Sequence, residues 1–445
     1  MTDLVVRGGT VLLPGVFEVR ADVAIEDGRI AAIVPEHEGR AGEELDARGL
    51  HVLPGAIDAH VHFNEPGRAD WEGWASGTSA LAAGGATACV EMPLNAHPPT
   101  IDGAAFDAKV AAAERGAVVD FALWGGLVPG DLDRLDELAA RGVVGFKAFM
   151  CDTGIEDFEA VDDDTLGAGM ARAAALGLPV AVHAEHPARL TAPRGGDWRA
   201  WAASRPPQAE LEAIERALAL AEETGCSLHV VHVSTGAGVA RVAEARARGV
   251  DATCETCPHY LTLSEEDMER LGTAAKCAPP LRAAAERDAL WDHLAAGRVA
   301  LVASDHSPCP PAMKTGGFAA AWGGVAGAQT TLPLLLDEGH HRRGLPPAPL
   351  ADLVTGGPAA RLGLPAGRLE PGAGADLALV DLRAEHQLRA EELHDRHRAN
   401  PFAGRKLRAR VVRTILRGRT VFADGRVTSE ARGRLLVPDR QRGQR

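Results

Sequence analysis

Short apolar runs alternate with longer alanine-rich segments through the middle of this 445-residue chain. The runs have the length of strands and lie near 53–62, 87–92, 118–124, 143–149, 179–183, 228–233, 250–254 and 299–304. The segments between them favour helix and include 70–84, 103–115, 131–141, 163–177, 209–224, 236–248 and 283–297. Eight strand–helix alternations predict an α/β fold, a (β/α)₈ barrel of the TIM type.

The two ends of the chain have a different, strand-rich pattern. Asp-Gly pairs at Asp27-Gly28 and Asp424-Gly425 sit between apolar runs, as in tight β-hairpins. We therefore predict one small β-sandwich domain assembled from both termini. The predicted bounds are 1–52 and 371–445 for its two parts and 53–370 for the catalytic barrel.

Composition excludes several classes of function. The formal net charge of −14 argues against binding to nucleic acid or to anionic membranes. No apolar run has the length of a membrane span, and the N-terminus lacks the features of a signal peptide. Seven cysteines without a secretion signal indicate a reduced, cytoplasmic protein. Cys254 and Cys257 form one CxxC motif, but a structural zinc site needs a second pair.

Chemically active side chains recur where the predicted strands end. His60 and His62 are two residues apart on the first strand, so they share one face and can meet one ion. In a parallel barrel the catalytic groups lie at the carboxyl ends of the strands. Six groups occupy such positions and suit two divalent ions: His60, His62, Lys147, His183, His232 and Asp305.

Lys147 is unusual because only five of the 47 basic residues are lysines. Burial depresses the pKa of an ammonium group and leaves a reactive neutral amine. That amine can add CO₂ to form a carbamate, an anionic ligand able to bridge two metals. The pattern alone leaves open that Lys147 instead extends to solvent or pairs with a carboxylate.

Other histidines near the strand ends have less direct interpretations. His229 and His232 are three apart on the predicted strand and should face opposite sides, so only one enters the barrel. We assign His232 to the site, because it is nearer the strand end, and His229 to a hydrogen-bonded packing position. His186 lies in a loop, where it can contact substrate or a ligand residue. His306 should point away from Asp305. Breakers across 307–327 predict a long loop beside the site.

Several motifs resemble the cyclic amidohydrolases of the amidohydrolase superfamily, and among them the allantoinases. They are Asp58-Ala-His-Val-His-Phe-Asn-Glu-Pro-Gly-Arg68, Glu91-Met-Pro-Leu-Asn-Ala-His-Pro-Pro-Thr100, Gly145-Phe-Lys-Ala-Phe-Met150, Glu255-Thr-Cys-Pro-His-Tyr-Leu261, Lys276-Cys-Ala-Pro-Pro-Leu-Arg282 and Ser304-Asp-His-Ser-Pro-Cys309. The resemblance implies one metal on His60, His62 and Asp305, and another on His183 and His232. It also implies that N6-carboxylated Lys147 bridges the two ions and that Asp305 is the catalytic proton carrier.

The resemblance also bears on the substrate, a small cyclic ureide. Dihydroorotases have an arginine for the substrate carboxylate where this chain has Asn64, which disfavours an acidic ring. Hydantoinases and dihydropyrimidinases usually have a tyrosine after the bridging lysine, where Thr153 would leave room for the ureido arm of allantoin. The substrate contacts implied by the family are Asn64, Asn95, Thr153, Ala278 and Gly323.

Hydrolysis of allantoin to allantoate is therefore the predicted activity. The alternatives are a hydantoinase or dihydropyrimidinase acting on other 5-substituted hydantoins, and a homologue that binds without catalysis. The expected cofactors are two zinc ions per subunit, with cobalt, manganese and iron as alternatives, and CO₂ for the lysine. A homotetramer is expected by analogy with relatives.

Overall fold

A computed structural model describes residues 2–13, 17–130, 132–428 and 432–439. Its strands, in chain order, are β1 Leu4–Leu13, β2 Phe17–Glu26, β3 Arg29–Val34, β4 Glu43–Asp46, β5 His51–Pro54, β6 Ala56–Val61, β7 Ala86–Glu91, β8 Asp120–Leu123, β9 Gly125–Gly126, β10 Phe146–Phe149, β11 Val180–His183, β12 Leu228–Val230, β13 Ala252–Thr256, β14 Leu301–Val302, β15 Leu377–Asp381, β16 His386–Gln387, β17 Lys406–Leu407, β18 Arg410–Leu416, β19 Arg419–Ala423 and β20 Arg426–Val427.

The helices are α1 Trp74–Ala83, α2 Gly103–Gly116, α3 Asp133–Arg141, α4 Asp163–Leu176, α5 Trp198–Ser204, α6 Pro207–Thr224, α7 Gly236–Ala247, α8 Pro258–Thr262, α9 Asp267–Leu271, α10 Ala284–Ala295, α11 Gly317–Ala320, α12 Thr331–Leu336, α13 Pro347–Asp352 and α14 Gly356–Leu362. Each predicted helical segment contains a helix, although position 131 lies outside the described residues. Among the described residues, no helix is long and apolar enough to cross a bilayer.

The predicted barrel is confirmed. Strands β6, β7 and β8 form one parallel sheet, and β9 to β14 form a second one in sequence order. The backbone N–H of Val144 donates to the carbonyl of Leu123 at 3.0 Å, joining the two sheets. A parallel bridge between Val61 and His306 closes the ring. All carboxyl ends of the strands therefore meet at one mouth, where a TIM barrel places its catalytic groups.

Strands from both termini lie in one nine-stranded sheet, in the order β20-β19-β18-β15-β5-β1-β2-β3 with β4 beside β1. The sheet folds over its own apolar core, because Ile25 and Ile30 from one end share a cluster with Leu377 and Ile415. The strands of the predicted β-sandwich thus belong to one continuous nine-stranded sheet. The domain bounds stay a prediction, and their termini at Met1 and 440–445 lie outside the described residues.

The interior of the barrel is filled by small and branched apolar side chains, so the polar side chains that can act in catalysis lie at the mouth. They include Ile57, Ala88, Val90, Ala122, Val144, Ala181, Val231, Leu301 and Ala303. One buried ion pair lies beside this core, between Glu91 at the end of β7 and Lys109 on α2. Lys109 also donates to the carbonyl of Met92 at 2.9 Å, and Glu91 accepts from the backbone of Phe63 at 3.2 Å. The pair therefore ties together the first two loops of the mouth.

Replacing Lys109 with methionine should lower the free energy of unfolding by about 3 kcal/mol, because Glu91 would remain buried without its partner. Urea unfolding at neutral pH measures the change. Arg141→Met is the control: it removes a guanidinium from a half-exposed pair with Asp107 and should change stability by less than about 1 kcal/mol. Equal effects of the two substitutions would contradict a stabilising role for the buried pair of Lys109 and Glu91.

Candidate metal centre

Three predicted ligands, from the first and the last strand region of the barrel, meet at the mouth. The Nε2 atom of His60 lies 3.3 Å from Oδ1 of Asp305, and Nε2 of His62 lies 3.5 Å from the same oxygen. His60 lies on β6, His62 directly follows that strand, and Asp305 lies in the segment after β14. One ligand atom from each of the three lies within 4.8 Å of the others, close enough to hold a single ion.

A second histidine pair lies next to this group. Nδ1 of His183, at the end of β11, is 3.0 Å from Nε2 of His232, after β12. The ring centroids of His232 and His60 are 5.4 Å apart, so the two groups form one continuous cluster. Two imidazole nitrogens at this separation need a proton or a cation between them, since two lone pairs repel.

Lys147 on β10 lies fully buried beside this cluster. Its Nζ atom has no hydrogen-bond partner among the described residues and lies 4.8 Å from the centroid of the Phe149 ring. Burial lowers the pKa of Lys147 to about 7, against the opposing influence of Glu255 and Asp305. A buried amine with no partner is costly. The alternative in which Lys147 reaches solvent or pairs directly with a carboxylate does not describe this structure.

The donor set fits two divalent ions and a modified lysine. Besides the Lys147 amine, Nδ1 of His232 is buried without a hydrogen-bond partner among the described residues. Such orphan atoms are rare in native structures and call for an unseen partner. Neutral imidazole, carboxylate and carbamate oxygen are suitable ligands for zinc and its neighbours.

Two buried carboxylates that sequence reasoning missed lie behind the predicted ligands. Glu255 on β13 contacts Nδ1 of His60 at 2.5 Å. Glu185, two residues past His183, contacts Nε2 of that histidine at 2.8 Å and pairs with Arg205. The bonds from His183 and Arg205 hold the pKa of Glu185 at about 2, although burial opposes this. The only sequence signal was an acidic residue at or just beyond a strand end.

Backbone strain is concentrated at the mouth. Among the described residues, eight that are not glycine have positive φ, and four of these are predicted site residues: Asn64, Asn95, His232 and Asp305. His232 has φ of 41° and Asp305 has φ of 47°. Such conformations persist where the surroundings impose them, often at functional sites. Each of these residues follows a barrel strand, at the point where the backbone leaves the strand and enters the next loop.

The predicted substrate contacts differ in which of their polar groups already have hydrogen-bond partners. Asn64 is fully buried; its amide donates to the carbonyl of Pro308 at 3.4 Å, and its Oδ1 has no partner among the described residues. The Thr153 hydroxyl instead bonds within its own loop, donating to the carbonyl of Phe158 at 2.7 Å. Asn95 lies 6% exposed after β7 and binds Arg68 through its carbonyl.

Ala278 and Gly323 lie in two segments that the structure joins. The N–H of Gly324 donates to the carbonyl of Lys276 at 2.7 Å. The ammonium groups of Lys276 and Lys314 bond to carbonyls within the predicted loop, at Ala321 and Gly324 respectively. These bonds fold the 307–327 segment against the segment after β13, and thus beside the mouth as predicted.

The observed directions of the remaining histidines only partly follow the prediction from strand alternation. His229 is buried and hydrogen-bonded as expected, but its partner is Glu255, whose Oε2 lies 3.0 Å from Nε2, so both His229 and His232 approach the interior. The expectation that only one could enter was wrong, because β12 ends at Val230 and the chain then turns. His306 does point away, since its Nδ1 accepts from the backbone N–H of Gly327 at 3.1 Å. His186 caps the short helical turn that follows it.

An imidazole and carboxylate cluster at the mouth of a parallel barrel is an architecture of metal-assisted hydrolases. Residues 51–421 match the amidohydrolase family. The allantoinase of Rubrobacter xylanophilus is 62% identical, over 100% of this chain and 99% of that protein. The allantoinase of Solibacter usitatus is 54% identical, over 98% of this chain and 97% of that protein.

Solved structures show the same relationship. The L-hydantoinase (dihydropyrimidinase) from Arthrobacter aurescens superposes with a TM-score of 0.95 at 34% identity, covering 98% of this chain and 100% of that one. This chain belongs to the amidohydrolase family. The resemblance seen in the motifs is thereby confirmed, and so is the barrel with its accompanying β domain.

Proposed function

We propose that this protein is an allantoinase, which hydrolyses the cyclic amide bond of the hydantoin ring of allantoin to give allantoate. The reaction class is supported by the convergence of four histidines and Asp305 around the unpartnered amine of Lys147. The substrate is supported by full-length similarity to allantoinases at 62% and 54% identity.

His60, His62 and Asp305 would hold one divalent ion, and His183 and His232 the other, with Lys147 between them. The neutral amine of Lys147 forms an N–C bond to CO₂ and loses one proton, which leaves a carbamate with a single negative charge. When bound, the ions supply Lewis-acid polarisation of a carbonyl and a lowered pKa for water. Zinc is our proposed native metal.

Asp305 is placed to move the proton. Its Oδ1 faces Nε2 of both His60 and His62, and these contacts keep the pKa of this carboxyl well below its usual range although burial opposes this. An ionised carboxylate at this position can accept a proton from the attacking water and deliver it to the ring nitrogen that departs. The proton is held at Oδ1 or Oδ2 only between these two transfers.

Asn64 offers a neutral contact for the ring. Because its amide N–H donates to Pro308, the buried Oδ1 remains available to accept an N–H from a ureide. A substrate carboxylate would meet an acceptor there instead of a donor. We propose contacts from Asn95, Ala278 and Gly323 as well. Thr153 contributes through its size, because its hydroxyl is already bonded within its loop.

Rates on three rings test the substrate. One metal-loaded preparation should show kcat/KM for allantoin at least about 10-fold above that for unsubstituted hydantoin, since a polar arm adds paired hydrogen bonds. Dihydrouracil should be slower still. A higher kcat/KM for dihydrouracil, or for an apolar 5-substituted hydantoin, would favour the hydantoinase alternative.

Metal analysis tests catalysis against simple binding. Protein produced with ample zinc and bicarbonate should hold two metals per chain, and clearly fewer would favour a non-catalytic homologue. Mass spectrometry of the intact protein under gentle conditions detects the added CO₂ on Lys147. We also propose a homotetramer in the cytoplasm, which light scattering and cell fractionation would check.

A further inference from the structure

A single buried carboxylate, that of Glu255, contacts ligands of both predicted metal positions. Its Oε1 lies 2.5 Å from Nδ1 of His60 and accepts from the backbone N–H of His232 at 3.3 Å. Its Oε2 lies 3.0 Å from Nε2 of His229. The side chain is 1% exposed, so water does not compete for these bonds. Glu255 on β13 thus contacts a ligand on β6 and a ligand that follows β12.

The hydrogen bonds select one form of the His60 ring. Oε1 of Glu255 already accepts from the backbone N–H of His232, and it serves as the acceptor for Nδ1 of His60 as well. Nδ1 of His60 must therefore carry the proton. In the neutral ring the lone pair is then on Nε2, the atom that faces Asp305. The proton position in a ligating histidine is commonly fixed by such an outer carboxylate.

The same carboxylate supports the strained backbone of His232. That residue has φ of 41°, a conformation that a branched-Cβ or bulky side chain avoids without compensation. The bond from its N–H to Glu255 is one fixed point at this turn. On the far side, His229 bonds to the Thr253 hydroxyl at 2.8 Å, which anchors the network in the barrel wall.

We propose that Glu255 is a positioning residue of the metal centre: it orients His60 and the His232 turn for metal binding without touching substrate. The inference rests on the proposed function, because it presumes that these histidines bind metal. It gives Glu255 a role distinct from the proton transfer at Asp305 and from the bridge at Lys147.

Glu255→Gln removes the charge of the side chain and keeps its shape. An amide oxygen can keep the bond to His60, while the amide nitrogen donates to Nε2 of His229. The proton of His229 then moves to Nδ1, where Thr253 can accept it, so no buried bond is lost. We expect metal retention to weaken by about 10- to 100-fold. Competition with a chelator, followed by metal analysis, measures the change.

Glu210→Gln is the matched control. Glu210 is equally buried near the same mouth, but it accepts from Ser234 and Thr235 and contacts none of the ligand histidines. Its chelator profile should stay within about 2-fold of the unmodified protein. Cobalt-substituted Glu255→Gln should also show an altered visible spectrum, whereas the Glu210→Gln spectrum should not change.

The outcomes separate the two hypotheses. If the unmodified protein holds two metals and Glu255→Gln retains them equally well, the role of Glu255 is overturned and the proposed function stands. If the unmodified protein holds clearly fewer than two metals, the proposed function itself fails. A metal-free Glu255→Gln protein that melts well below the metal-free unmodified protein would assign Glu255 to the fold, which also overturns the positioning role.

Discussion

Replacing Lys147 with alanine should lower kcat/KM on allantoin by roughly 10⁴-fold and leave the centre without its full complement of metal. The Lys147 amine is fully buried and has no hydrogen-bond partner among the described residues, so the fold does not need its charge. Alanine removes the carbamate that would join the two metal positions. Steady-state rates and metal analysis on the same preparation measure both effects.

Added short carboxylic acids sharpen this test. Acetate or propionate can enter the space left by the side chain and supply a carboxylate in place of the carbamate, so part of the activity should return. Lys147→Arg should not respond, because the guanidinium fills the space and cannot form a carbamate. Lys406→Ala, at an exposed lysine, should behave like the unmodified protein. Full activity of Lys147→Ala without added acid would rule out the carbamate bridge.

Replacing Asp305 with asparagine should lower kcat by about 10²- to 10⁴-fold, because an amide cannot accept the proton that the carboxylate transfers. The side-chain shape is kept, so KM should change much less. The contacts with His60 and His62 lie 3.3 and 3.5 Å from Oδ1, and the substitution also weakens that metal position. Metal content must therefore be measured alongside kcat.

Loss of kcat in Asp305→Asn at full metal occupancy would identify the proton-transfer role separately from ligation. Asp288→Asn makes the same change at a surface aspartate that pairs with Arg343, and its kcat should stay within about 2-fold. An Asp305→Asn protein with both metals and near-normal kcat would assign the proton transfer to another group.

The alternation of apolar runs and helical segments was sufficient to predict the barrel. Each predicted run overlaps an observed barrel strand, although the first run also includes the end of β5, which belongs to a different sheet from β6. Its periodicity could not reveal this split, because both strands are buried and apolar. The strand-rich termini were also predictable, since Asp27-Gly28 joins the paired strands β2 and β3 and Asp424-Gly425 joins β19 and β20.

Strand alternation failed where the backbone leaves the strand. His232 lies past the end of β12 with positive φ, so counting by twos cannot give its direction. His229 lies within β12 and bonds to Glu255, so it is hydrogen-bonded as expected, and it is His232 whose direction the alternation could not give. Residues distant in the chain decide these conformations: Glu255 is 23 positions beyond His232 and accepts from its backbone.

By itself, the sequence determined the barrel, its β domain and the family, because strand and helix periodicity and the strand-end motifs are local properties. Only the tertiary structure decided which groups are left without partners and which are bonded. Lys147 is isolated, Thr153 is occupied within its loop, and Glu255 stands behind His60. Hydrogen-bond partners and burial are decided when strands far apart in the chain meet at one mouth. The spacing of residues along the chain therefore cannot predict them.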